Sequence, residues 1–294
     1  MRVFLTGATG FIGSRIVPEL IGAGHQVLGL TRSDAGAQSL AAAGAQAHRG
    51  DLEDLESLRG GAAVSDAVIH TAFRHDWTRF AESCELDKRA IETIGEVLQG
   101  SSRPFIVSSG VGVAQGRAAT ENDPPLTSPH IPRVSEVTAV ALMERGVSTM
   151  VMRLPQVHDT VKQGLITPAI AIARAKGISA YIGEGRNRWP AAHVTDVAHL
   201  YRLALEKGAP GARYHAVAEE GVSLKDIATA IGRGLKIPVT SIAPEQAQEH
   251  FGFLGFFAGR DALISSAQTR ASLGWNPAGP DLLTDLANMR YTQN

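Results

Sequence analysis

Thr6-Gly7-Ala8-Thr9-Gly10-Phe11-Ile12-Gly13 joins the apolar run Arg2–Thr6 to Phe11–Ala23, a segment whose apolar residues recur at helical spacing. Three glycines so spaced between a strand and a helix leave few folds open. Gly7 permits a sharp exit from the strand. Gly10 lets backbone amides approach a diphosphate with no Cβ in the way, and Gly13 lets the helix pack close on the sheet. The helix amino terminus then offers free N–H groups and the positive end of its dipole to the phosphates. A phosphate loop of the Gly-Lys-Ser/Thr kind is excluded, because no such triplet follows. The reading is a strand–turn–helix that holds a dinucleotide through Gly7, Thr9, Gly10, Phe11, Ile12 and Gly13.

The rest of the first half keeps the same alternation. Gln26–Thr31, Ala45–His48, Ala67–His70, Pro104–Ser108 and Val147–Leu154 read as strands. Ala35–Ala43, Leu52–Arg59, Leu86–Leu98 and Ser135–Glu144 read as helices. This predicts an α/β fold of parallel βαβ units with right-handed crossovers: a Rossmann-type doubly wound parallel sheet. After Pro155 the rhythm changes. Residues 156–192 read as loop-rich with one helix at Ile166–Lys176, followed by a helix at Asp196–Lys207 and a last sheet strand at Ala212–Val217. Residues 223–294 read as small helices with Pro and Gly breaks. The expected organisation is a dinucleotide-binding domain over 1–155 and a smaller C-terminal substrate-binding lobe over 156–294, with 193–217 returning to the sheet.

Charge and cysteine content narrow the function classes. With 28 basic and 29 acidic side chains the formal net charge is −1, which gives no footprint for nucleic acid or an anionic membrane. The longest apolar stretch, Ile166–Ala175, holds Pro168 and Arg174 and falls short of the roughly 18 to 20 residues of a bilayer span. Arg2 precedes a stretch broken by Thr6, Gly7, Gly10 and Gly13, unlike a secretory signal. The single cysteine, Cys84, allows no intrachain disulfide, and a reducing cytoplasm is the expected location. Ten histidines without an i,i+4 pair or a cysteine partner give no support for a metal site.

Other landmarks follow in order: Gly50-Asp51-Leu52, His70-Thr71-Ala72-Phe73, Ser108-Ser109-Gly110, Arg153-Leu154-Pro155 and Ala192-His193-Val194-Thr195-Asp196-Val197-Ala198. With TGATGFIG they resemble, over nearly the whole chain, the extended short-chain dehydrogenases/reductases, the NAD-dependent epimerase/dehydratase group. The resemblance implies that Asp51, with Leu52, contacts adenine, and that Thr71, Ala72 and Phe73 lie along the cofactor. It implies that Ser108 and Pro155 close strands five and six beside it, and that the 192–198 box fixes the second lobe to the sheet. It also implies a homodimer formed through the helices at Leu86–Leu98 and Ser135–Glu144.

An NAD-selective site places Asp or Glu about twenty residues beyond the glycines, where it accepts from the ribose 2′-hydroxyl. Here the second strand ends Leu30-Thr31-Arg32-Ser33, so Thr31 fills the acidic position and a guanidinium follows. A planar guanidinium fork pairs well with a phosphate. NADP(H) is therefore expected in preference to NAD(H), which stays open because Asp34 is close enough to serve a hydroxyl.

The group's usual Tyr-x-x-x-Lys is missing. Neither Tyr181, Tyr201, Tyr214 nor Tyr291 has a lysine four residues on, and by register the two positions fall near Pro132 and Glu136. The serine or threonine that assists at the end of strand five is replaced by Gly110, with Ser109 one residue earlier. Replacement proton donors are expected where doubly wound folds bind ligands: Phe73, Arg74 and His75 after strand four, Ser108 and Ser109 ending strand five, His158 and Asp159 after strand six, and His130. Ser109 and His158 are the candidate catalytic residues, His158 first because histidine titrates near neutral pH. The competing reading makes His158 a loop residue facing solvent or a carbonyl. His193 and Asp196 read as structural.

In the lobe, Leu165, Ile170, Tyr181, Trp189, Phe251, Phe253, Phe256 and Phe257 can wall an apolar cleft or close a small core. The expected function is hydride transfer between a nicotinamide and a small, largely apolar carbonyl or alcohol substrate. The alternatives are a non-catalytic NADP(H)-sensing protein and an epimerase or dehydratase with transient hydride transfer.

Overall fold

The computed structural model describes residues 1–125 and 132–291. The first half runs β1 (Arg2–Thr6), α1 (Gly13–Gly22), β2 (Gln26–Thr31), α2 (Asp34–Ala42), β3 (Gln46–Arg49), α3 (Leu55–Ala63), β4 (Ala67–His70), α4 (Phe80–Leu98), β5 (Phe105–Gly110), α5 (Ser135–Glu144) and β6 (Thr149–Leu154). The second half runs β7 (Gln156–His158), α6 (Ile166–Lys176), β8 (Ser179–Ile182), β9 (Arg188–His193), α7 (Val194–Lys207), β10 (Arg213–His215), β11 (Glu219–Ser223), α8 (Leu224–Leu235) and β12 (Val239–Ile242). It ends with α9 (Ala247–Phe251), α10 (Gly255–Ala258), α11 (Ala267–Leu273) and α12 (Leu282–Asn288).

Seven strands form a parallel sheet in the order β3-β2-β1-β4-β5-β6-β10. Its central strands are uninterrupted apolar runs because helices cover both faces. Val3, Phe4, Leu5, Val68, Ile69, Phe105, Ile106 and Val107 are all fully buried. On α1, Ile16, Val17 and Leu20 lie on one face and pack with Val197, Tyr201 and Leu205 of α7. The chain leaves β1 toward β2 on one side, while β4 to β6 build out on the other. The switch point between β1 and β4 opens a crevice at their carboxyl ends.

A second apolar core gathers Ile166, Ile170, Trp189, Ile227, Ile231, Phe251, Leu254, Leu282 and Leu286. It is framed by the three-stranded sheet β11-β9-β7 and the pair β12-β8. Residues 156–192 hold three strands that their sequence conceals, since each is only three to six residues long and β9 contains Pro190. Helix α4 starts at Phe80, six residues ahead of the expected Leu86. Its first turns carry Ser83 and Cys84 on the buried face, where no apolar stripe announces a helix. Among the described residues, no helix is long and apolar enough to cross a membrane.

Candidate active site

The glycine turn is built as its spacing requires. Gly7 has φ +71°, and a Cβ there would stand 2.7 Å from Thr71 Oγ1 and 2.8 Å from Ala72 N. A Cβ on Gly13 would lie 2.0 Å from Gly7 O, so only glycine lets α1 approach β1 this closely. Helix α1 has no side-chain cap and no acidic residue in its first turn. Among the described residues, the amides of Phe11 and Ile12 have no hydrogen-bond acceptor. Unspent donors at a helix start, with no Cβ in front of them, fit a diphosphate. The crevice floor is tied together from both strands: Thr71 Oγ1 donates to Thr6 O at 2.8 Å and the Ala72 amide to Thr6 Oγ1 at 3.3 Å.

Above this turn lies a cavity of about 880 Å³. It is lined by Gly7, Thr9, Gly10, Phe11, Ile12, Gly13, Arg32, Asp51, Leu52, Thr71, Ala72, Phe73, Ser108, Ser109 and Pro155. At one end, the exposed Arg32 has no carboxylate partner among the described residues. Asp34, by contrast, is taken by the Arg49 guanidinium and does not line the cavity. Asp51 Oδ1 accepts the amides of Glu53 and Asp54 at 2.6 and 3.2 Å, which shapes the loop after β3.

At the other end, over β4 and β5, the two serines divide their tasks by strand alternation. Ser108 Oγ donates to His70 O at 2.6 Å and meets Tyr201 Oη at 2.6 Å, so its hydroxyl is committed to the sheet and α7. The Ser109 hydroxyl has no partner among the described residues, and Ser109 lines the cavity.

A buried polar chain leads from β1 into this end. His70 Nδ1 lies 2.8 Å from Thr6 Oγ1, and His70 Nε2 lies 3.1 Å from Asp87 Oδ1. Ser135 Oγ donates to Asp87 Oδ2. Arg133 Nε donates to Ser135 Oγ at 2.9 Å, and Arg133 Nη2 to Ser108 O at 3.2 Å. The Arg133 guanidinium lies over the Phe73 ring, 4.3 Å from its centroid. Burial pushes the Asp87 carboxyl up, but the His70 and Ser135 hydrogen bonds and the charges of His70 and Arg133 outweigh it and hold it below its ordinary value. Beside Arg133, desolvation and the charges of Arg133 and Lys162 push the His75 imidazole down to about 4, so it is neutral at physiological pH.

Arg133 escaped the sequence reading, although it stands one residue from Pro132, where the tyrosine of the usual motif belongs. Glu136, at the motif's lysine position, is fully engaged. It accepts from Arg153 Nε and Nη2 at 2.8 and 2.6 Å and from Arg213 Nε at 2.7 Å. A carboxylate between two guanidiniums holds α5, β6 and β10 together.

His158 needs correction. It is fully buried, is not part of the cavity lining, and places Nδ1 2.7 Å from Asp285 Oδ2. Its ring ties β7 to α12, and it has no surface from which to exchange a proton with a substrate. Asp159 accepts the amides of Val161 and Lys162 at 2.7 and 2.9 Å and so shapes the loop that brings Lys162 into the cavity lining. His193 caps α7 by accepting the Thr195 amide, and Asp196 accepts the Ala278 and Gly279 amides at 3.0 and 2.8 Å. His130 lies outside the described residues.

Of the lobe's apolar side chains, Leu165, Trp189 and Phe257 line the cavity, Trp189 from within the lobe core, whereas Ile170 and Phe251 belong to that core without reaching the lining. Trp77, in the short helical turn Trp77–Arg79, stacks on Phe80 at 5.0 Å and on Phe253 at 4.5 Å. This stack joins the segment after β4 to the lobe.

Residues 7–168 match the family model described as NAD(P)H-binding. The chain is 49% identical over 295 residues to an uncharacterized protein of Schizosaccharomyces pombe, covering 99% of this chain and all of that one. It is 28% identical over 284 residues to the 4-hydroxy-2-methyl-3-oxo-4-farnesyl-3,4-dihydroquinoline-1-oxide ketoreductase of Stigmatella aurantiaca, covering 92% of this chain and 84% of the ketoreductase. In fold it is similar to the UDP-glucose 4-epimerase of Thermus thermophilus in complex with NAD, with TM-score 0.75, 18% identity and 99% of each chain covered. Glycine turn, switch-point crevice and sequence agree: the chain belongs to the NAD(P)H-binding family and shares the fold of the NAD-bound epimerase.

Proposed function

We propose that this protein is an NADP(H)-dependent oxidoreductase that interconverts a carbonyl and an alcohol on a small, largely apolar substrate. The observation that carries the reading is the single cavity system in which the glycine turn and the lobe's apolar wall face the same space. A bound nicotinamide nucleotide would supply hydride chemistry to the carbon held against it. The amides of Phe11 and Ile12 would hold the diphosphate, and Arg32 the 2′-phosphate. Trp189, Phe257 and Phe73 would hold the substrate and exclude water, which is where the protein's contribution through positioning lies. The Ser109 hydroxyl, on the cavity lining, would hydrogen-bond a reacting oxygen or the nicotinamide amide.

The engaged Glu136 and the missing tyrosine favour a second reading, a dinucleotide-sensing protein without turnover. One experiment separates the two: purified protein is mixed with NADPH and a panel of ketones and aldehydes, and absorbance at the reduced nicotinamide band is followed. Substrate-dependent loss of absorbance supports the oxidoreductase. Tight NADPH binding with no loss on any carbonyl refutes it in favour of the sensor.

A further inference from the structure

Charge is distributed unevenly around the cavity. Its lining includes Arg133, Lys162 and Arg260, and among the described residues none of the three has a carboxylate partner. The two carboxylates on the lining are Asp51, beside Leu52 in the loop after β3, and Glu136, which Arg153 and Arg213 already neutralise. Lys162 Nζ stands 5.8 Å from the Phe11 ring, on the side of the diphosphate turn, so the cofactor's own charge accounts for it. Arg260 and Arg133 are left over, and of the two, among the described residues, the guanidinium fixed by hydrogen bonds is that of Arg133. It is half-buried, seated on Phe73 and fixed through Ser135 and Ser108, with two of the guanidinium's five N–H donors spent.

The nearest carboxylate, Asp87, is reached only through Ser135 and is already engaged by His70, so among the described residues the remaining N–H donors of Arg133, which lines the cavity, are free to take an anion from outside. Arginine cannot surrender its proton, so Arg133 does not replace the missing tyrosine as an acid. What a guanidinium does well is receive a planar carboxylate through parallel N–H donors. The neighbouring His75 is neutral and offers no competing charge. The aromatic walls Phe73, Trp77, Trp189 and Phe257 suit a flat or apolar frame.

We propose that the substrate is an oxo acid, or the corresponding hydroxy acid, on an apolar frame, and that Arg133 receives its carboxylate. This rests on the oxidoreductase reading above and names its substrate class.

The test uses the full chain saturated with NADP⁺ and titrated calorimetrically with benzoylformate or with its neutral methyl ester. The acid is expected to bind about ten- to hundredfold more tightly than the ester, the range of one charge-assisted contact. Arg133→Gln should bring the acid down to the ester's affinity, and Arg133→Lys should restore part of the difference. The preference should not change between pH 6 and 8, where both partners keep their charge. The acid–ester comparison on the unaltered protein stands even if a variant misfolds. Equal or better binding of the ester, no binding of the acid, or a preference that survives in folded Arg133→Gln overturns the inference. If NADP⁺ itself fails to bind, the oxidoreductase reading falls instead. Binding of NADP⁺ without preference for the acid sinks this inference alone.

Discussion

Arg32 and Asp34 stand two residues apart, yet only Arg32 lines the cleft, while Asp34 pairs with Arg49 on the exposed surface. Arg32→Ala is therefore expected to weaken NADP(H) binding by about 1.5–3 kcal/mol, the worth of a hydrogen bond to a charged group, or roughly ten- to hundredfold. NAD(H) affinity should hardly change, and equal losses for both nucleotides contradict the assignment. His158 belongs to a different account. Its contacts with Asp285 tie β7 to α12, so His158→Gln should lower the melting temperature while leaving NADPH affinity in calorimetry unchanged. A loss of nucleotide affinity with no loss of stability would return His158 to the site.

At the scale of elements, the turn into α1 and the polar chain into α5 make separate predictions. Gly13→Ala puts a methyl group 2.0 Å from Gly7 O, and overpacking of this kind costs about 1–3 kcal/mol in thermal or denaturant unfolding. It should also abolish nucleotide binding, because the turn must open to make room. A variant of unaltered stability and affinity shows that α1 does not need this approach. The Asp87 carboxyl, held below its ordinary value by His70, Ser135 and Arg133 against the opposing effect of burial, favours the folded chain. Its contribution is fully present above about pH 4 and is lost as pH falls through the folded value, since the unfolded chain then binds the proton more readily. Asp87→Asn should flatten the acid limb of melting temperature against pH; an unchanged limb contradicts this role. The elements most legible in the sequence are those whose chemistry is local. β1, the glycine turn and α1 announce themselves by spacing, and β4, β5 and β6 by apolar runs. The first turns of α4 and the short strands β7, β8 and β9 do not, because tertiary packing rather than periodicity holds them. The candidate site divides the same way. Its glycine turn could be read from spacing, whereas Arg133 acquires its meaning only when Phe73 and Ser108, distant in sequence, converge on it beside Ser135.

Across the whole molecule, the cleft is walled on one side by the carboxyl ends of the sheet and on the other by the lobe, with the Trp77 stack joining the two. A ligand that touches both sides stabilises the folded chain by mass action, by about 2.7 kcal/mol at a hundredfold excess over its dissociation constant. The most direct test of the central claim, that this crevice grips a nicotinamide dinucleotide at the turn of Gly7, Gly10 and Gly13, is calorimetric titration of folded protein with NADPH. The account predicts saturable binding at one site per chain, lost in Gly13→Ala. Absence of any binding heat, together with an unmoved melting temperature in excess NADPH, contradicts it.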